Sequence, residues 1–289
     1  MNILTFDIEE WYLEKVLHGG RVEKYQSYDQ TLEKLLFFLE QNKITATFFC
    51  VGKLAKEFPM VVKRIAAAGH EVGCHSNEHT WLTQFDSEAL RHDTIDAIDA
   101  LQQVTGQRVW SYRAPAFSIT EKNIWALEVL AECGIKNDSS IFPSVRDYGG
   151  FPSFPMDEPC LLKVGNVTMK EFPIAMTSIF GKKIAYSGGG YFRMLPYAKV
   201  RKTMHKRTYN ISYFHLNDII DQRIKMMPRK EYEDYFHENG SLKNRLFRYA
   251  KSNIGTGDCY GKLLHLLHDV PFSSIRDANI ECTKEIKFV

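Results

Sequence analysis

Short apolar runs alternate with amphipathic helical stretches along most of this chain, and that alternation restricts the fold more than any other property. Residues 2–6 form an apolar run, and residues 27–42 carry Leu32, Leu35, Leu36 and Leu39 at helical spacing. Residues 44–51 are β-rich; Pro59 opens a helix through residue 68 that Gly69 stops, and residues 70–74 are extended. A long amphipathic helix is expected over 87–105, ended by Gly106, then a strand over 108–112 and a helix over 120–133 bounded by Thr120 and Gly134. Residues 135–137 and 211–214 read as further short strands. Such a pattern favours an α/β fold built on a parallel sheet, closed or open, and 289 residues suffice for one barrel or two small domains.

A net charge of +2 argues against a nucleic-acid partner. The six cysteines form no Cys-x-x-Cys pair, and most sit inside apolar stretches, where a reduced thiol packs as a small hydrophobe. The N-terminus has no basic region ahead of its first strand, and no apolar run approaches membrane-spanning length. A cytoplasmic location is the expectation.

Two features carry chemistry. His75 and His79 stand four apart in His75-Ser76-Asn77-Glu78-His79-Thr80, and a carboxylate cluster, Asp7, Glu9 and Glu10, follows the first apolar run. Imidazoles at i and i+4 share one face of a helical turn, and one carboxylate from elsewhere completes a three-ligand divalent-metal set with a position open for water. Strand periodicity puts Asp7 and Glu9 on one face, which favours Glu9 as that ligand, with Glu10 as the alternative. Asp7, His75, Arg113, Asp138 and His215 each stand just past a separate expected strand, and in a parallel barrel those ends converge on one mouth.

These residues also fall into ordered motifs: Thr5-Phe6-Asp7-Ile8-Glu9-Glu10-Trp11, then the His75–Thr80 segment, Arg113-Ala114-Pro115-Ala116-Phe117, Asp138-Ser139-Ser140, and Tyr213-Phe214-His215. In that order they resemble the polysaccharide deacetylases of carbohydrate esterase family 4. The stretch Ser187-Gly188-Gly189-Gly190-Tyr191-Phe192-Arg193 and residues 244–276 resemble the subgroup associated with exopolysaccharide and surface-glycan loci.

The resemblance implies a single domain over 1–289. It would be a distorted (β/α) barrel of the polysaccharide deacetylase type over about 1–220, with a mostly helical C-terminal extension over about 221–289. It implies that Asp7 is the general base, that Glu9, His75 and His79 hold a divalent metal (zinc first, with cobalt or nickel as alternatives), and that Arg113 orients Asp7. His215 becomes the acid for the leaving amine, oriented by Asp138, and a backbone N–H near Ala116 and Phe117 meets the oxyanion. Trp11, Trp81, Pro115, Phe117, Gly189 and Tyr191 are candidates for substrate contact.

The implied substrate is an N-acetylated sugar or oligosaccharide in a bacterial surface-polysaccharide pathway. A sharper expectation is a lipid-linked substrate met at a membrane surface by the basic clusters of 199–251. Two other readings stay open: hydrolysis of a ureide-type C–N bond on the same fold, and a glycan-binding module without turnover.

Overall fold

The computed structural model describes residues 1–146, 149–179, 181–220, 225–236, 238–278 and 280–288. Its strands are β1 (Asn2–Ile8), β2 (Thr47–Cys50), β3 (Glu71–Cys74), β4 (Ser111–Tyr112), β5 (Asn137–Asp138), β6 (Cys160–Val164), β7 (Val167–Glu171), β8 (Met176–Ile179), β9 (Lys182–Ala185), β10 (Asn210–His215) and β11 (Glu285–Phe288). A nine-stranded sheet runs β10-β1-β2-β3-β4-β5-β7-β6-β11, parallel from β10 through β7, and β8 and β9 form a separate hairpin. The parallel strands are almost wholly buried, as their Leu4, Phe6, Phe48, Phe49, Val72, Ile211 and Phe214 require when helices cover the outside.

The sheet curls. Laid flat, strands about 4.8 Å apart would put β1 and β4 about 14 Å from each other. Yet Arg113, one residue past β4, reaches Asp7 on β1 at 2.8 Å. Across the interior the Tyr209 hydroxyl donates to Pro173 O at 2.9 Å, and the Phe117 and Tyr213 rings lie 5.1 Å apart. Side chains, rather than a hydrogen-bonded ladder, thus join β10 to the far strands, and the barrel is distorted in the way the motifs implied.

The helix over Ser87–Thr105 has the expected limits: Asp86 caps it by accepting from Ala89 N at 2.8 Å, and Gly106 ends it at φ 68°. The helix expected from 120 begins only at Trp125. Thr120 N and Oγ1 instead donate to Asn123 Oδ1 at 2.7 and 2.8 Å, a local turn in which side chains replace the helical ladder. The C-terminal region is mainly helical, over Arg229–Phe236, Leu242–Asn253 and Cys259–Asp269.

Beyond those helices the chain returns to the barrel and covers the end where the strands begin. Ser273 O accepts from Leu4 N (3.0 Å), Ser273 N donates to Asn2 O (3.1 Å), Ile275 N to Thr47 Oγ1 (2.8 Å) and Arg276 N to Glu71 Oε2 (2.8 Å). The opposite end is where β1, β3, β4 and β10 finish.

Candidate active site

Glu9, His75 and His79 meet at that end, each offering one donor atom within 4.8 Å of the others. His79 Nε2 is 2.6 Å and His75 Nε2 3.5 Å from Glu9 Oε2. The segment joining the two histidines is not the helical turn the spacing suggested. It is a loop in which Ser76 (φ 64°) and His79 (φ 61°) adopt left-handed backbone, a strained conformation for such residues. That kink brings both imidazoles beside Glu9 with their centroids 5.2 Å apart and their planes inclined at 62°.

Asp93 holds the loop by accepting from Asn77 N (3.0 Å) and Ser76 Oγ (3.4 Å), and burial pushes its carboxyl up to about 6. His75 Nδ1 lies 2.7 Å from Arg113 O; a carbonyl only accepts, so Nδ1 carries the proton and Nε2 turns its lone pair to the cluster.

Arg113 is completely buried and organises the floor of the site. Its Nη1 donates to Asp7 Oδ1 (2.8 Å) and Thr5 Oγ1 (2.7 Å), Nη2 to Ser139 Oγ (2.9 Å) and Nε to Ser139 O (3.1 Å). The guanidinium also sits 4.3 Å from the Phe49 ring centroid, where a cation meets a π face. Asp7 is thereby fixed in place, with Oδ2 turned toward His215 Nε2 at 4.0 Å.

His215 Nε2 lies 3.6 Å from Glu9 Oε1. Burial alone would lower its pKa, but the Glu9, Asp218 and Asp7 carboxylates outweigh that and hold the imidazole well above its ordinary range. Burial likewise pushes Glu9 up, and His79 and His215 pull it well below the usual carboxylate range.

Several expectations need correction. Asp138 does not orient His215. It accepts from Ser140 Oγ (2.6 Å) and Ser140 N (3.0 Å), and burial raises the pKa of both it and neighbouring Glu171. The partner of His215 is Asp218, whose Oδ2 accepts from His215 N (3.0 Å) and lies 3.3 Å from Nδ1, while Arg193 holds Oδ1 at 2.5 Å. His215 caps the short helix Leu216–Ile219, so its third residue folds back onto it.

Glu10 faces away from the histidines. Its Oε1 accepts from Asn217 N at 3.1 Å, and burial beside Glu9 raises it to about 7. Trp11 is only 2% exposed, its ring 5.4 Å from Tyr28, so it packs in the core where it has no face for a sugar. Pro115, Phe117 and Gly189 are buried, whereas Trp81 and Tyr191 keep partial exposure. Phe117 N donates to Ala114 O at 3.0 Å, which narrows the expected oxyanion donor to Ala116 N, where left-handed backbone (φ 54°) bends the loop.

Sequence reasoning missed Arg193, Asp218, Thr5 and Asp93. The spacing of Asp218 from His215 was a usable signal, and Arg193 closes a glycine-rich motif already singled out.

Glu9 Oε2 is buried and lacks a hydrogen bond of acceptable geometry, an orphan that a cation would satisfy; two neutral imidazoles and one carboxylate are a donor set suited to zinc, cobalt or nickel. A curled α/β barrel carrying such a cluster at the C-terminal ends of its strands defines a class of site. Residues 3–137 match the polysaccharide deacetylase family, and this chain carries a polysaccharide deacetylase (carbohydrate esterase family 4) domain. Residues 139–279 match a domain of unknown function (DUF3473).

The peptidoglycan-N-acetylglucosamine deacetylase of Bacillus cereus is 35% identical over 96 residues, 33% of this chain and 35% of that protein. The chitooligosaccharide deacetylase of Rhizobium leguminosarum bv. trifolii is 39% identical over 85 residues, 28% and 40% of the two chains. The chain thus spans well under half the length of these relatives. A crystal structure from Mycobacterium smegmatis assigned to the polysaccharide deacetylases shares the fold, with TM-score 0.56 and 20% identity over 93% of this chain and 91% of that one.

Proposed function

We propose that this protein hydrolyses the N-acetyl group of an amino sugar within a surface-polysaccharide pathway, acting on an N-acetylated oligosaccharide or a lipid-linked precursor. One observation carries the reading: Asp7, Glu9, His75, His79, Arg113 and His215, distant in sequence, gather at one end of the parallel strands. The names of the Bacillus and Rhizobium relatives support the substrate class. The six cysteines stand as free thiols, which supports a reducing compartment, the cytoplasm.

Glu9, His75 and His79 would hold a divalent cation, which when bound polarises the acetamide carbonyl and lowers the pKa of water from about 15.7 toward roughly 7. Asp7, held in place by the Arg113 hydrogen bond, takes the proton from the attacking water. Ala116 N donates to the developing oxyanion. His215, kept protonated by Asp218 and its acidic neighbours, gives its proton to the departing amine, and acetate and a free amino sugar leave.

Acetate release from N-acetylated oligosaccharides, abolished by chelation and in Asp7→Ala, is the expected result. A ureide hydrolase releases no acetate, and a glycan-binding module binds the sugar without turnover; either result overturns the proposal.

A further inference from the structure

The helix Leu242–Asn253 is turned inside out. With 3.6 residues per turn, Asn244, Arg245 and Arg248 share one side, and that side faces protein. Asn244 Nδ2 donates to Asn239 O (2.8 Å), Arg245 Nη1 to Met227 O (3.2 Å), and Arg248 pairs with Glu238 at 3.4 Å while lying 4.4 Å from the Phe236 ring centroid. The opposite side presents Leu242, Leu246, Phe247 and Tyr249 to solvent, at 58, 48, 66 and 38% exposure. A surface helix ordinarily does the reverse, and a contiguous apolar face of this kind marks an interaction surface.

Charge identifies the partner. The helix contains no Asp or Glu, and exposed Lys243 stands on the helical wheel between Leu246 and Phe247. In a two-fold dimer through this face, each Lys243 would approach its equivalent with no acidic residue on the helix to meet it. An anionic lipid surface suits the same face: apolar side chains enter the acyl boundary and lysine stays at the level of the phosphates. The helix is 12 residues long, too short to cross a bilayer, so its contact is one of surface.

The location gives the contact a purpose. Gly255, just past the helix, packs so closely on the Arg193 backbone that a Cβ there would come within 2.5 Å of Arg193 O, and the Arg193 side chain holds Asp218, the partner of His215. Ile254 and Met194, the chain neighbours of Gly255 and Arg193, are exposed apolar residues as well.

We propose that this helix lies on an anionic bilayer, with Leu242, Leu246, Phe247 and Tyr249 inserted, and presents the site to membrane-borne glycan. The purpose rests on the deacetylase reading, but the docking is measured without turnover. The full chain is sedimented with vesicles of phosphatidylcholine containing about one-third phosphatidylglycerol, and with phosphatidylcholine alone.

The wild type should partition onto the anionic vesicles, with at least about a tenfold loss in L246S/F247S and a several-fold loss in Lys243→Glu. Acetate release from a soluble N-acetylated oligosaccharide stays at the wild-type level in the double variant, and a loss there counts against a surface role. No partitioning of the wild type, equal partitioning of L246S/F247S, or a lipid-free wild-type dimer dispersed by that variant overturns the proposal. Absence of acetate release from both proteins would instead remove the deacetylase reading and leave the docking result standing.

Discussion

Replacing Arg113 with methionine keeps much of the stem and removes every donor, and the cost follows from what is left behind. Four hydrogen bonds disappear, to Asp7, Thr5 and twice to Ser139, and the Asp7 side chain, 3% exposed, loses its counter-charge. Breaking a buried pair from one side costs about 3–5 kcal/mol, chiefly through the uncompensated charge that remains. Asp7→Asn removes that charge, so the two changes must interact. In urea unfolding with chelator present, R113M should lose about 4 kcal/mol, and D7N/R113M should be more stable than the sum of the single losses by about 1.5–3 kcal/mol. Additivity within about 0.5 kcal/mol would show that the guanidinium does not serve the Asp7 carboxylate, and the account of the base would fall with it.

Four further measurements probe other parts of the molecule. Asp218→Asn should lower kcat for acetate release by about 10–100-fold with little change in KM, since it loosens His215 rather than removing it; an unchanged kcat refutes the orientation role. His75→Ala should fail to retain the cation, and stoichiometric metal in the purified variant would refute the ligand assignment. Burial without a hydrogen-bond partner for either ring nitrogen pushes His70 down to about 4 from an ordinary 6.5, so the unfolded chain takes up the proton first. Stability from neutral His70 is therefore complete above pH 6.5 and is lost as pH falls toward 4; at pH 5 the wild type should give up about 2 kcal/mol more than His70→Leu, against which parallel profiles would count. A Cβ on Gly149 would stand 2.2 Å from Phe117 O, so Gly149→Ala should lower stability by about 1–3 kcal/mol in thermal denaturation, and an unchanged midpoint would show that the loop yields freely.

Strands β1, β2 and β10 were legible because each is a compact run of mostly apolar residues, and the helix Ser87–Thr105 because Asp86 and Gly106 mark its limits. The middle of the chain was not. In β6 and β7 buried positions, Glu171 among them, alternate with partly exposed Leu161, Lys163 and Lys170 and exposed Thr168 over only five residues each, too short for period two to stand out. The last strand, Glu285–Phe288, is polar at alternate positions and owes its place to pairing with β6, a partner more than a hundred residues away.

Within the site, residue types were readable and local geometry was not. The left-handed Ser76 and His79 defeat any helical inference from their spacing. His215 takes Asp218 because the chain turns at once into a helix, bringing a carboxylate three positions on nearer than Asp138 across the sheet.

The boundary between the two matched segments falls at residue 138, yet Arg113 on one side grips Ser139 on the other, and His215 with Asp218 and Arg193 comes from the later half while the carboxylates of Asp7 and Glu9 beside it come from the earlier one. Neither half could be transplanted alone. A chimera joined at that seam would inherit a base without its acid, and an arginine clasping a partner shaped by another lineage, so recombination among such proteins should preserve the pair as one heritable unit.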